Sequence, residues 1–466
     1  MQQSKLIALM RQLSRAQLRQ FDRLLPALVT TQNNEIQRLY QYLIRFAPQY
    51  KSAKVARASI QKALNWGDKK LTDRSSQLLQ GLGQCLAVSE LLSDPLEQQL
   101  RLMDIYENLE LDKHYQSAKR QAQKALSNIK RRGPDFFIKQ YKLNQLEARA
   151  QETYQRKHKP SLQAAADALD EFYLSSKLDY ILEMTSAGSV LDIPYDIRHA
   201  DAIKQWASQP PYLGSPLIDL YRVTLLLIEK PQEEEHFIQL RTLLEHHHAE
   251  IPEGILKHLY TYLLNHCTSQ ITKHGNAKFY QYYLDINTKL IDQGLILEEG
   301  LLLPWRYSNL ITVGLRTGKL KWTRQFLDRY RSYLPSEDNE NTYNYNLAHC
   351  LYYERKVDDA LLLLLQLDLR DPLLAIAAKN LTAKIYWEND QLELLLNFLE
   401  NYRLYIYRQQ LAKSGLKKRV KNFIDFTRRL AKIPDFEPER RKELLSELPK
   451  PAEILEHEWL VKQLEL

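Results

Sequence analysis

The sequence predicts an all-α protein, an α-solenoid of stacked helical hairpins with helical caps at both ends. Three observations predict this fold class. Apolar residues recur at helical spacing along most of the chain, and the 466 residues include only 13 glycines and 18 prolines. Between residues 341 and 401, residue types also recur at the period of a two-helix repeat. The recurring pairs include Leu347/Leu381, Leu351/Ile385, Tyr352/Tyr386 and Glu354/Glu388.

Residues 1–95 are predicted to form an N-terminal helical cap region. Short amphipathic patterns follow one another there, and Ser14 is placed to cap the second of them. A turn at 65–68 precedes a longer helix, which Thr72 or Asp73 is expected to open. Such a region would cover the apolar end of a repeat array.

Residues 96–215 are predicted to form further helical hairpins, with an irregular stretch at 189–216. Turn-forming residues surround a short helix near 197–206 in that stretch: Pro194, Pro210, Pro211, Gly214 and Pro216. Two interpretations remain open. The stretch is either a hinge between two halves of the chain or a surface loop in a continuous array.

Residues 216–410 are predicted to form the repeat array itself. Helices are expected at 216–228, 232–247, 252–273, 276–293 and 297–317, because short breaks with Gly, Pro or Asn separate these apolar patterns. The following segment, 319–333, completes a hairpin in register with the unit that begins at residue 341.

One unit of the array, residues 341–374, resembles the tetratricopeptide repeat. The residues at that motif's spacing are Ala348, Leu351, Ala360, Leu364, Leu367 and Pro372. The next unit departs from the motif at its two small positions, where Thr382 and Leu394 stand. The whole chain is also similar to helical-repeat proteins of the Bacteroidota, a similarity that implies no activity.

The tetratricopeptide resemblance implies a concave face that is built from the first helices of successive hairpins and binds a peptide or protein segment. On the last units this face is expected to be approached by Asn344, Tyr345, Tyr352, Lys379 and Tyr386. The alternative for the tyrosines is packing, because most of the 28 tyrosines lie within apolar stripes.

Residues 411–466 are predicted to form a basic helix and an acidic helical cap. The polar face of the basic helix carries Lys417, Lys418, Lys421, Arg428 and Arg429. These cations would either bind an anionic partner or form a solvated face that the acidic tail balances, and the sequence favours the second interpretation. The apolar residues of the last segment are expected to dock: Ile454, Leu455, Trp459 and Leu460.

Charge is distributed unevenly along the chain. The net charge of +8 divides into +14 over residues 1–160, −9 over 161–412, +7 over 413–432 and −4 over 433–466. Arginines recur every four residues near the start, at positions 11, 15, 19 and 23, and so lie along one side of the first helices. The alternative function is therefore binding to the backbone of RNA or DNA, through the basic first third and the basic helix.

Enzymatic function is not predicted. The sequence contains no phosphate-binding glycine loop, dinucleotide fingerprint, His-Glu-x-x-His or Gly-x-Ser-x-Gly motif, and no cofactor is expected. His246, His247 and His248 are consecutive, so on a helix they point about 100° apart and do not predict a metal site.

The chain is expected to be a cytoplasmic interaction scaffold or adaptor that does not contact membranes. It contains no run of about 18 apolar residues. Its three cysteines, Cys85, Cys267 and Cys350, are far apart within apolar patterns, as is typical of buried thiols in a reducing compartment. The oligomeric state is not predicted.

Overall fold

The computed structural model describes residues 2–28, 34–154, 160–191, 194–212, 214–336, 339–368, 370–409, 414–434 and 436–465. These residues form α-helices, short 3-10 helices and turns, with one isolated bridge between Glu298 and Leu301. The all-α prediction is confirmed for this part of the chain. The structure divides into two compact units, residues 1–173 and 174–466, and the division falls within one long helix.

The first unit begins with five helices that share one hydrophobic core. They are α1 (Lys5–Gln12), α2 (Arg15–Leu28), α3 (Glu35–Ile44), α4 (Arg57–Leu64) and α5 (Asp68–Ser93), with a 3-10 turn at Ala53–Val55. Ser14 caps α2 as predicted, because its Oγ accepts a hydrogen bond from the Gln17 amide (3.2 Å) and the Gln17 side chain accepts one from the Ser14 amide (2.9 Å). α5 begins at Asp68, earlier than predicted, because the turn already ends at the extended Gly67.

The rest of the first unit surrounds a second core. Its helices are α6 (Pro95–Asn108), α7 (Asp112–Ser127), α8 (Pro134–Tyr154) and the part of α9 (Pro160–Leu191) up to residue 173. α6 packs against both α7 and α8 around the buried Met103 and Tyr115.

The second unit contains the remaining helices. They are the rest of α9, then α10 (Ala200–Ala207), α11 (Pro216–Glu229), α12 (Glu234–His247), α13 (Glu253–His274), α14 (Lys278–Asp292), α15 (Pro304–Arg316), α16 (Leu320–Tyr330), α17 (Asn339–Tyr353), α18 (Val357–Leu365), α19 (Pro372–Glu388), α20 (Leu392–Arg408), α21 (Ser414–Leu430), α22 (Pro438–Ser446) and α23 (His457–Glu465). Short 3-10 helices lie at Arg331–Tyr333 and Pro451–Glu453.

From α11 to α21, each helix packs against the next in chain order. Alternate helices also meet: α11 contacts α13, α15 contacts α17, and α17 contacts α19. Of the residues that recur between 341 and 401, Leu351, Leu381 and Ile385 pack in one core, whereas Tyr386, Trp387 and Phe398 pack against another. The recurring aliphatic and aromatic residues of α17, α18, α19 and α20 therefore divide between two cores.

The predicted helix at 297–317 is wrong over its first seven residues. α15 begins at Pro304, while Glu299 and Gly300 form a turn with positive φ of 51° and 82°. A proline is favoured at the first position of a helix, and it disfavours helical geometry in the residue before it. The predicted helices matching α11 to α14 are confirmed to within a few residues at each end.

The stretch 189–216 contains a short helix, α10, close to its predicted position. Residues 192, 193 and 213 of this stretch lie outside the described residues. Its interpretation as a hinge stays a prediction.

The three cysteines are buried, as predicted. None of the described helices combines the length and the apolar composition needed to cross a bilayer.

Gly314, on α15, lies close against Trp322 and Thr323 of α16. A Cβ atom at this position would lie 2.2 Å from Thr323 Oγ1 and 3.2 Å from the Trp322 ring. Alanine improves helix propensity by about 1 kcal/mol, but overpacking of a buried contact costs about 1–3 kcal/mol. We expect Gly314→Ala to lower the free energy of unfolding in urea.

Gly83 provides a matched control for Gly314→Ala. It lies inside α5, and a Cβ atom at this position would have no neighbouring atom within 4 Å beyond its own stretch of helix. Gly83→Ala should leave stability unchanged or raise it slightly. If both alanine substitutions had the same effect, the close approach of α15 and α16 would not constrain position 314.

Candidate functional site

The last described part of the chain, residues 451–465, crosses several helices of the second unit; we call it the tail segment. It begins with the 3-10 turn and ends with α23. Beside α21, the Glu453 carbonyl oxygen accepts a hydrogen bond from Asn422 Nδ2 (2.8 Å). Pro451 lies beside Gly275, at the end of α13.

The apolar side of the tail segment is part of a hydrophobic core. Ile454, Trp459 and Leu460 are buried against residues of α19, α20 and α21, as the sequence predicted. Leu455 is partly buried against the same core. This packing holds α23 in place and fixes the positions of the polar side chains on its other side.

The tail segment places one carboxylate between two cations from other helices of the second unit. Lys384 Nζ, on α19, lies 2.9 Å from Glu456 Oε2, and Arg316 Nη2, at the end of α15, lies 3.6 Å from the same oxygen. The Lys384 side chain is only 6% exposed. Burial alone would raise the pKa of Glu456, but Lys384 and Arg316 outweigh it and lower this pKa to about 2. Glu456 is therefore ionised near neutral pH.

A second carboxylate of the tail segment shares the same arginine. Arg316 Nη1 donates to Glu458 Oε2 at 2.6 Å, and the Tyr280 hydroxyl lies 3.4 Å from the other oxygen. Burial would lower the pKa of Arg316, but the tyrosines and carboxylates around it raise this pKa. Arg316 is thus a fixed cation that bridges two glutamates of the tail segment.

The tail segment also makes hydrogen bonds through its aromatic and amide groups. Trp459 Nε1 donates to Glu388 Oε1 (3.0 Å), an oxygen that also accepts a hydrogen bond from the Tyr352 hydroxyl. Further along α23, Gln463 Oε1 accepts a hydrogen bond from Trp387 Nε1 (2.9 Å). We give the name tail-binding surface to six residues that contact the tail segment, together with Tyr352, which is linked to it through Glu388. The six residues are Gly275, Tyr280, Arg316, Lys384, Trp387 and Glu388.

A polar cavity of about 330 Å³ remains between α23 and this surface. Its lining residues are Arg316, Tyr352, Tyr353, Arg355, Lys384, Glu388, Glu458, Trp459, Lys462 and Gln463. A second cavity of about 130 Å³ lies beside Glu456 and is lined in part by Arg419. Within the described ranges, Arg419 Nε and the nearby His349 Nδ1 are buried without a hydrogen-bond partner.

The structure places three of the predicted protein-binding residues on α17. Tyr352 lines the 330 Å³ cavity. Tyr345 is buried, with its ring centroid 6.0 Å from that of His349. Asn344 is partly exposed. Of these, Tyr352 is the residue that the structure brings to the tail segment.

The other two predicted protein-binding residues face α20 instead. Lys379 Nζ lies over the Tyr405 ring, 5.0 Å from its centroid, and burial lowers the pKa of this lysine. The Tyr386 ring packs edge-on against Phe398 at 5.6 Å. A role for these five residues in binding stays a prediction.

Two cations of the basic helix, now α21, pair with acidic residues that follow it. Lys418 Nζ lies 2.9 Å from Glu453, and Arg429 Nη2 lies 2.5 Å from Glu447. These pairs support the interpretation of the helix as a polar face balanced by the acidic tail.

The remaining cations of this helix are arranged differently. Lys417 Nζ donates to the carbonyl oxygens of Tyr407 (3.1 Å) and Gln409 (3.2 Å). Arg428 lies 3.7 Å from a carboxylate oxygen of α20, and Lys421 is exposed. Their binding of an anionic partner stays a prediction.

Sequence reasoning missed the cations that hold the tail segment. Lys384 carried a signal, because a lysine between Leu381 and Ile385 interrupts a buried apolar stripe, and lysines are rarely buried without a partner. No feature of the sequence indicated such a role for Arg316, since it stands at the exposed end of a helical pattern. The partners Glu456 and Glu458 lie 72 and 142 residues away in the chain.

His349 gives this region a pH dependence. Burial, together with the neighbouring Lys384, lowers the pKa of its imidazole to about 3. Below about pH 6.5 the unfolded chain takes up a proton that the folded chain cannot bind, so stability falls as the pH falls. We expect the unfolding free energy of the wild type to decrease by about 2 kcal/mol more between pH 7 and pH 5 than that of the His349→Gln variant.

The measurement is urea unfolding at several pH values between 5 and 7. The matched control is His248→Gln, which removes an exposed imidazole. Equal pH dependence in the two variants would contradict a neutral, buried His349.

The histidines that suggested a metal make local contacts. His247 Nδ1 lies 3.1 Å from Glu250 Oε1, and His248 Nδ1 lies 3.0 Å from the Glu245 carbonyl oxygen. Among the described residues, no group of three or more His, Cys, Asp or Glu side chains is arranged to hold a metal ion.

Comparison with known proteins adds no relative to this description. No protein-family model, no curated protein and no solved structure matches the chain.

Proposed function

We propose that the chain is a non-enzymatic cytoplasmic scaffold that binds a segment of a partner protein on the tail-binding surface. Its array, residues 216–410, would be a solenoid of tetratricopeptide-like hairpins. The contacts of each helix with the next, and of α15 with α17 and α17 with α19, support this architecture.

One observation carries the proposal: Glu456 lies between Lys384 and Arg316. The two cations come from different hairpins, α15 and α19, whereas the carboxylate comes from a segment outside the array. Buried cations without a counter-charge are costly, so this surface requires an anionic group. It contacts Glu456, Glu458 and Trp459 through their side chains, in the way that it would contact a separate peptide.

The experiment measures fluorescence anisotropy of a labelled peptide with the sequence of residues 451–465. The receptor is the full chain with Glu456→Gln, which weakens the hold on its own tail segment. We expect saturable binding that is lost when Arg316→Ala is added. Arg403→Ala is the matched control, because Arg403 lies on α20 and pairs with the exposed Glu400. An affinity that does not change on Arg316→Ala, or no saturable binding, would refute the proposal.

We propose nucleic-acid binding as the alternative function. It is supported by the exposure of Arg15, Arg19 and Arg23 along one side of α2. Retention on heparin or RNA that disappears at moderate salt and after reversal of these three charges would favour the alternative. Retention that does not depend on these charges would count against it.

A further inference from the structure

We propose that the partner is a short acidic segment of another protein, with one glutamate just before a helix and the next in its first turn, and that it binds in exchange with the tail segment. Its pattern would have glutamates at the positions of Glu456 and Glu458 and an aromatic residue at the position of Trp459. An acidic residue would stand at the position of Lys462, three residues after the aromatic one. This inference rests on the proposed function and specifies the partner of the same surface.

The first part of the pattern follows from what the tail-binding surface recognises. Glu456 and Glu458 meet Lys384 and Arg316, with closest distances of 2.9 and 2.6 Å, and Trp459 donates to Glu388. These contacts are made by side chains, but Glu456 precedes α23 and has a positive φ of 52°. A partner therefore reproduces them when its first glutamate stands in the same left-handed turn and its second lies in the first turn of the helix that follows.

The buried cations explain why the process is an exchange. Lys384 is 6% exposed, and Arg316 and His349 lie beside it. Departure of Glu456 would leave Lys384 and Arg316 without their shared counter-charge, which is unfavourable at a buried site. The tail segment is therefore displaced by another carboxylate and does not simply detach.

The last part of the pattern follows from a mismatch in the tail segment itself. Lys462, on α23, lines the 330 Å³ cavity together with three further cations, Arg316, Arg355 and Lys384, and two carboxylates, Glu388 and Glu458. Cations therefore outnumber carboxylates in this lining by four to two. Arg355 is paired with Glu388, yet its side chain is 77% exposed. A glutamate in place of Lys462 would face these cations with the complementary charge. A partner with this glutamate would fit the surface better than the tail segment does.

The experiment titrates a labelled peptide of residues 451–465 carrying Lys462→Glu against three full-length chains. They are the wild type, a chain with Glu456→Gln, and a chain with Lys462→Glu. Glu456→Gln weakens the binding of the chain's own tail segment, whereas Lys462→Glu strengthens it. The peptide binds more weakly when the tail segment occupies the surface for more of the time. We expect the affinity to rise about tenfold in the first variant and to fall about tenfold in the second.

Two controls isolate the charges. A chain with Glu465→Gln loses a glutamate from an exposed position of α23 and should bind the peptide as the wild type does. A peptide that also carries Glu456→Gln and Glu458→Gln should not bind. Circular dichroism establishes that each chain folds. If Glu456→Gln prevents folding, Glu458→Gln replaces it, because Glu458 is more exposed than Glu456 (38% against 21%).

The outcomes separate this inference from the proposed function. Equal affinity of the peptide for the wild type and both variants would overturn the exchange but leave peptide binding by the surface intact. No saturable binding to any chain would overturn the proposed function itself. A concentration-dependent dimer of the wild type that the peptide dissociates would make a second copy of this chain the partner, and so overturn the assignment to another protein.

Discussion

Replacement of Trp459 with alanine is expected to lower the unfolding free energy of the second unit by about 3–5 kcal/mol, the usual cost of removing a buried tryptophan. Trp459 is 7% exposed, and its ring centroid lies 6.4 Å from that of Trp387 and 6.2 Å from that of Phe423. Its indole nitrogen also donates to Glu388. The substitution removes this packing and leaves Glu388 with one donor fewer, so the tail segment should lose its apolar anchor.

Urea unfolding followed by circular dichroism measures this effect. Trp305→Ala is the matched control, because Trp305 lies on α15 with about half of its surface exposed (52%). We expect the control to cost far less than Trp459→Ala. Similar losses for the two tryptophans would mean that the tail segment does not contribute its own packing to the second unit.

The sequence predicted the features that depend on local patterns. The helices α11 to α14 could be found because apolar periodicity and short breaks are local signals. Docking of Ile454 and Trp459 could be anticipated because both stand at apolar positions of a short final segment. The charge balance of α21 could be anticipated too, since Glu447 and Glu453 lie within 35 residues of the cations that they meet.

The sequence could not predict which polar residues meet across the array. Lys384 and Arg316 belong to different hairpins, and their partners lie in the tail segment, so no local pattern relates them. The repeat register also could not show which tyrosines would line the cavity. Tyr352 and Tyr386 occupy equivalent positions, but Tyr352 lines the cavity whereas Tyr386 packs against Phe398. Register gives the position of a residue on its helix, and the neighbouring elements decide what that residue contacts.

A buried lysine of α19, Lys384, faces the Glu456 carboxylate of the tail segment. Lys384→Met keeps the aliphatic stem of a side chain that lies over the Tyr352 ring, but it removes the charge that faces Glu456. Loss of one partner of a buried ion pair costs about 3–5 kcal/mol, because the other charge remains buried without compensation. Glu456→Gln removes the opposite charge and leaves Lys384 uncompensated in turn.

The most direct test is a double-mutant cycle of Lys384→Met and Glu456→Gln, measured by urea unfolding at pH 7. We predict that each single substitution destabilises the second unit, and that the double variant loses about 2 kcal/mol less than the sum of the two single losses. Additivity within about 0.5 kcal/mol would mean that Lys384 and Glu456 do not interact, and that the tail-binding surface does not recognise the carboxylate through Lys384.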